Sequence, residues 1–176
     1  MKKTFVSQVK DTLITIAIAL VLALIIRAFI LQTFYIPTGS MMPTIMPGDR
    51  IIALKFWYYI VPPKRGDVIV FKSPEEPKIL VKRLVGLPGD TILIKDGKIY
   101  INGKLWKDKR IAHIRYYAIG PYGVGEQKIP DGKYYMLGDN SANSDDSRFW
   151  GFAPRKNILG KAVITYWPIT HIKSLY

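Results

Sequence analysis

Ser40 and Lys82 are the residues of this chain best suited to covalent chemistry. Ser40 stands in Gly39-Ser40-Met41-Met42-Pro43-Thr44, just beyond an N-terminal apolar segment, and Lys82 is the single lysine of the apolar run 79–85. Serine is a weak nucleophile until a base takes its proton. Lysine can be that base if it is neutral near working pH, and burial achieves this by penalising the ammonium form. Leu80 and Leu84 share the strand face of Lys82 and Val81 lies beside it, while alternation turns Arg83 to the other face. The chain has no cysteine and two histidines. Thiol nucleophiles, disulfides and thiolate metal sites are thereby excluded. Neither His113 nor His171 has a catalytic or metal-spaced neighbourhood, and a solvated or structural role is expected for both.

A third cluster, Gly138-Asp139-Asn140-Ser141-Ala142-Asn143-Ser144-Asp145-Asp146-Ser147-Arg148, follows an apolar strand. Such polar density is either a solvated turn or the wall of a site. Its alternating oxygens resemble a calcium loop, but the closing bidentate glutamate is missing and Arg148 sits where negative charge is wanted. No metal and no cofactor are expected.

These residues need elements to hold them. Residues 12–34 are apolar apart from small threonines, Gln32 and Arg27, about the length a tilted helix needs to cross ~30 Å of hydrocarbon. Lys2, Lys3 and Lys10 precede the segment, so the positive-inside bias puts the N-terminus in the cytoplasm. Arg27, near the outer end, can snorkel to the headgroups. A cleaved secretory leader shares the basic start, but the small-x-small triplet Ala17-Ile18-Ala19 lies inside the apolar core, not after it. The expected organisation is a cytoplasmic N-terminus (1–11), a transmembrane anchor (12–34) and an extracytoplasmic catalytic domain (35–176).

Beyond Tyr35 the pattern is that of strands: 50–54, 67–71, 79–85, 91–95, 98–101, 104–106, 134–137 and 162–167. Asp96-Gly97 and Asn102-Gly103 are favoured two-residue hairpin turns, so 91–106 reads as a three-stranded meander. Short strands with frequent turns predict a mostly β domain, a partly open barrel or folded sandwich. Glu75-Glu76-Pro77 and the segment 108–127 read as exposed excursions. The net charge of +13 suits an anionic membrane surface or a solvated basic face better than nucleic acid, for which no motif is present.

Three boxes in order carry a resemblance: Ser40-Met41-Met42-Pro43-Thr44; Lys82-Arg83-Leu84-Val85-Gly86-Leu87-Pro88-Gly89-Asp90; and Gly138-Asp139-Asn140 with Ser144-Asp145-Asp146-Ser147-Arg148. Together they resemble the bacterial type I signal peptidases, over nearly the whole chain. The resemblance implies a coiled, barrel-like β domain behind a single anchor in the bacterial cytoplasmic membrane. It implies Ser40 as nucleophile, Lys82 as general base, and Ser144 as the hydroxyl that orients the lysine. The oxyanion donors would be the Ser40 N–H and the Thr38 hydroxyl, where many members have serine; threonine keeps the donor but restricts χ1. Arg83, Asp139, Asp146 and Arg148 would brace the site. Ser141-Ala142 departs from the charged residues common there and is taken as surface drift.

The substrate implied is the signal peptide of an exported preprotein, lying extended between 34–40 and 79–82 and cut after small residues of the Ala-x-Ala type. Phe34, Ile36, Met41, Ile45, Ile51, Leu80 and Val81 are candidate pocket residues, and plain core packing explains each of them equally well. Two other readings compete. One is a self-cleaving Ser/Lys peptidase like the SOS repressors, which carry a DNA-binding domain where this chain has its apolar segment. The other is an anchored peptide-binding β module without activity.

Overall fold

The computed structural model describes residues 5–25 and 30–175. Helix α1 (Phe5–Ile25) is followed by twelve strands and two four-residue helices: β1 (Leu31–Tyr35), β2 (Arg50–Leu54), α2 (Trp57–Ile60), β3 (Val68–Lys72), β4 (Ile79–Gly86), β5 (Thr91–Lys95), β6 (Lys98–Ile101), β7 (Lys104–Leu105), β8 (Gln127–Lys128), β9 (Lys133–Leu137), α3 (Ser147–Trp150), β10 (Ala153–Pro154), β11 (Ile158–Trp167) and β12 (Lys173–Ser174).

The main sheet runs β1-β2-β11-β3-β4-β9-β10, with β12 on β11. All its pairings are antiparallel. Register shifts in β11, between 162 and 164 and between 165 and 167, and in β4, between 84 and 86, give the strands the extra twist that curls the sheet into a half-barrel. Its inner residues Ile51, Val68, Val70 and Ala162 are fully buried in one cluster, together with Ile45 of the loop between β1 and β2. Ile69, Phe71, Leu84 and Met136 belong to a second cluster, which Trp150 and Tyr58 close.

A smaller sheet, β7-β6-β5-β8, contains the expected meander. Asp96 and Gly97 (φ 53° and 78°) and Asn102 and Gly103 (φ 51° and 76°) turn its hairpins, because both residues of each pair accept positive φ. The mostly β expectation therefore holds. Four strands went unread: β1, hidden in the apolar N-terminal run, and the two-residue β8, β10 and β12, too short to show a period.

The large apolar side chains of α1 from Val9 to Leu24 are 43–61 % exposed, so this helix gains nothing from the core. Among the described residues, no helix is long and apolar enough to cross a membrane. The first turns of α1 carry Gln8, Lys10 and Asp11, and the apolar remainder, 12–25, is only ~21 Å of helix against ~30 Å of hydrocarbon. Of the rest of the expected span, 26–29 lies outside the described residues and 31–34 is strand, not helix. There Leu31, Gln32, Thr33 and Phe34 pair with Leu54, Ala53, Ile52 and Ile51. Hydropathy alone could not separate this strand from the helix before it; the partner strand decides the conformation.

Candidate active site

Lys82 sits on β4 between Val81 and Arg83, and its side chain is 2 % exposed. Its amine donates to Ser144 Oγ at 3.0 Å. Burial is the main influence on it and lowers its pKa to about 8. The carboxylates of Asp146 and Asp145 oppose that fall, and the Arg148 and Lys78 cations assist it. Ser40 lies opposite, on the loop after β1. Both residues line one groove of about 450 Å³, together with Phe34, Ile36, Thr38 and Met41 on one wall and Lys78, Leu80 and Val81 on the other.

Of the expected pocket residues, Phe34, Ile36, Met41, Leu80 and Val81 reach this groove. Ile45 and Ile51 do not. Each is 0 % exposed and packs in the core beneath.

Two buried ion pairs fix the frame. Arg83 Nε donates to Asp139 Oδ1 at 2.8 Å and its Nη2 to Oδ2 at 2.5 Å, while Nη1 reaches the Gly66 carbonyl at 2.8 Å. Arg148 Nε and Nη2 each donate to Asp146 at 2.8 Å, and Asp146 also accepts the Gly138 N–H at 3.0 Å. Such bidentate pairs orient as well as neutralise. They also weigh against the calcium reading, since Asp139 and Asp146 each have a guanidinium partner and Asp145 pairs with Lys78.

The serine loop is held from the same side. Asn140 N–H donates to the Ser40 carbonyl and its Nδ2 to the Gly39 carbonyl, both at 3.0 Å. The Thr44 hydroxyl donates to Asp139. Met42–Pro43 is a cis peptide. At the loop's far end the buried Asp49 accepts the Met46 N–H at 2.9 Å and lies 2.7 Å from His171 Nδ1. His171 is thus a structural brace, and the exposed His113 lies outside the groove.

Several contributors escaped the sequence reading. Ser141 is no surface drift. It is 3 % exposed and accepts from Arg148 Nη1 at 2.8 Å and from the Tyr117 N–H at 2.9 Å. Through Tyr117, whose carbonyl also accepts from Arg148 Nη1 at 3.1 Å, the motif-free segment 108–127 is tied into the frame. Ser147 Oγ accepts the Met136 N–H at 2.8 Å.

Gly138 has the sharpest requirement. A Cβ there would lie 2.2 Å from Ser144 Oγ and 2.5 Å from the Ser40 carbonyl oxygen. Both groups press on one backbone position, so any side chain would separate them. Gly138→Ala is expected to lower kcat at least tenfold and stability by about 1–3 kcal/mol, the usual range for overpacking. Thermal melts and turnover of the purified variant check this; wild-type values in both would show that the contact yields freely.

This architecture is that of a peptidase built on a curled β sheet, with a serine facing a buried lysine across an extended groove. Residues 9–167 match the family model described as signal peptidase, peptidase S26. The chain is 39 % identical to "Signal peptidase I" of Leptolyngbya laminosa, over 96 % of this chain and 85 % of that protein. It is 38 % identical to "Signal peptidase I" of Bacillus licheniformis, over 90 % and 89 % of the two chains. Among solved structures, a signal peptidase I from Enterococcus faecalis V583 aligns with a TM-score of 0.51 at 33 % identity, covering 58 % of this chain and 97 % of its own. The chain therefore belongs to the signal peptidase family, peptidase S26, with type I enzymes as its relatives, and is a protease.

Proposed function

We propose that the chain is a membrane-bound endopeptidase that removes signal peptides from exported preproteins by a Ser40/Lys82 dyad. The observation that carries this reading is the buried Lys82 amine, in the groove of Ser40 and held by Ser144. With one N–H engaged by Ser144, a neutral amine keeps its lone pair for the Ser40 hydroxyl. Ser40 Oγ then attacks the scissile carbonyl, Lys82 takes the serine proton and returns it to the departing amine, and water, deprotonated by Lys82, hydrolyses the acyl-enzyme. The Ser40 N–H and the Thr38 hydroxyl are the proposed oxyanion donors, and Thr38 lies exposed on the groove wall.

The groove suits an extended peptide. On β4, residues 79–82 pair with β3 on one side, while β9 begins its pairing only at Arg83. Their other edge is open among the described residues, and a peptide can add there as a strand. Phe34, Ile36, Met41, Leu80 and Val81 then meet its alternate side chains, and a shallow apolar wall favours small residues such as alanine. A synthetic peptide with an Ala-x-Ala site, incubated with the purified chain and followed by mass spectrometry, tests this. Cleavage after the second alanine is expected. Intact peptide would leave the inactive binding module, and cutting only within the enzyme's own chain would favour self-cleavage.

Thr38→Val removes the hydroxyl at nearly constant shape, and a loss in kcat of about 10²-fold is expected, the scale of an oxyanion donor. Thr38→Ser is expected to retain activity. Equal kcat for the valine and threonine enzymes would place the donor elsewhere.

Membrane attachment rests on the exposed apolar side chains of α1, which the core leaves uncovered, and on the basic residues before it. The N-terminus is assigned to the cytoplasm and the β domain to the outer side. Protease added to spheroplasts is expected to digest the β domain and spare an N-terminal tag. The reverse pattern would invert the topology.

A further inference from the structure

A second cavity, of about 440 Å³, opens beside the small sheet and shares no lining residue with the groove of Ser40. Its walls are apolar. Ile99 of β6, Trp106 just after β7, and Ile111 and Ile114 of the following excursion face it, all packed against the core cluster of the small sheet. The volume lies within the range of small-molecule sites, ~300–1,000 Å³.

The charge that the cavity's lining residues present to solvent is mainly positive. Lys98, Lys107 and Lys109 stand exposed among its lining residues. Its carboxylate, Asp108, is already neutralised by Arg110, at 2.9 Å from Nε and 2.5 Å from Nη2. Lysine stems cover apolar surface while their ammonium groups stay in water, so these three cations sit where a bound molecule leaves the apolar interior. The three cations line one cavity, and like charges there favour an anion among them.

We propose that this cavity binds an amphiphilic anion, a single acyl chain of medium length ending in a carboxylate or phosphate. The chain lies against Trp106 and Ile99, and the acid head sits among Lys98, Lys107 and Lys109. An apolar molecule without charge would leave the lysines uncompensated, and a cationic amphiphile would add to their repulsion. The site is independent of the peptidase chemistry, and its occupancy does not require Ser40 or Lys82.

A decanoic acid bearing a diazirine on its chain tests this directly. The purified full chain is irradiated with increasing probe, and the labelled peptides are mapped by mass spectrometry. Saturable labelling within 97–116 is expected. Decanoate and decyl phosphate are expected to compete, and their relative strength separates a carboxylate from a phosphate head. Decanol should compete at least tenfold more weakly and decyltrimethylammonium not at all. Ala112→Trp introduces an indole at an exposed wall position, where it fills the cavity without disturbing the core, and is expected to abolish saturable labelling. The triple variant Lys98→Gln, Lys107→Gln, Lys109→Gln is expected to weaken decanoate at least tenfold at low salt and to erase its salt dependence. Labelling that never saturates, falls mainly outside 97–116, or yields equally to decanol or the ammonium overturns the proposal. So does undiminished labelling of the triple variant or of Ala112→Trp.

Discussion

Ser40→Ala and Lys82→Ala are each expected to reduce signal-peptide cleavage by at least 10⁴-fold in kcat while leaving the fold intact. The size of the loss follows from the roles: without the nucleophile no acyl-enzyme forms, and without the base the hydroxyl stays protonated. The two losses should not add, since either change disables the same step; the double variant should be no slower than either single one. Turnover of a synthetic Ala-x-Ala peptide by the purified variants checks this, and cleavage by either one above the uncatalysed rate would remove that residue from the mechanism. Stability should move the other way for Lys82. Its folded pKa of about 8 lies below the value of 10.5 for a free lysine, so the unfolded chain binds the proton more tightly. The fold therefore carries a cost near neutral pH, on the order of 3 kcal/mol at 1.36 kcal/mol per pH unit, which is relieved as pH rises from about 8 towards 10.5. Lys82→Met removes that cost and keeps the apolar packing. An inactive protein with a raised Tm is the expected outcome, and a lowered Tm would mean that the amine is held more strongly than it is desolvated.

The same tension explains what the sequence made legible. Lys82 among Leu80, Val81 and Leu84 stands out because a lone amine in an oily strand is costly and needs a reason. The paired turns Asp96-Gly97 and Asn102-Gly103 were equally readable, because positive φ restricts which residues can stand there. Ser141 was misread for the opposite reason. Nothing local distinguishes a buried serine that accepts from Arg148 and Tyr117 from one in a solvated turn, since both partners arrive through the folded chain. Ile45 and Ile51 were ambiguous between pocket and core, because hydropathy reports burial and not which side of a layer a residue faces. Strand β1 was invisible within a longer apolar run until β2 supplied its partner.

The frame around Ser40 and Lys82 is assembled from distant segments, and the hydrogen bonds explain why it must be. Asn140 holds the Ser40 loop, Asp146 takes the Gly138 N–H, and Ser144 takes the amine of Lys82. One polar loop after β9 thus sets the position of both catalytic candidates. Arg148 anchors that loop through Asp146 and Ser141, while Arg83 anchors its start through Asp139. Removing a guanidinium would leave a buried carboxylate without its partner, and displacing the loop moves nucleophile and base together.

The dependence of activity on pH tests the lysine itself. A base must be unprotonated, so kcat/KM should follow the neutral fraction of Lys82, level above its pKa and falling tenfold per pH unit below it. With that pKa lowered to about 8, the acidic limb should be centred near 8. Activity at pH 5 should then be about a thousandfold below the alkaline plateau. Asp145 supplies an independent handle. Its carboxylate favours the ammonium form, and it also pairs with Lys78 at 3.3 Å. Asp145→Asn should therefore move the limb to lower pH and raise activity near neutrality, with Lys78 still held by Glu76 at 2.7 Å. Lys78→Met removes a cation that works in the other direction and should move the limb up. Initial rates from pH 5 to 10 on a peptide without titrating groups near its cleavage site measure all three limbs. A histidine base would centre the limb near 6.5. If the limb lies there and His171→Asn or His113→Asn abolishes it, Lys82 loses the role of base even though Ser40 keeps that of nucleophile.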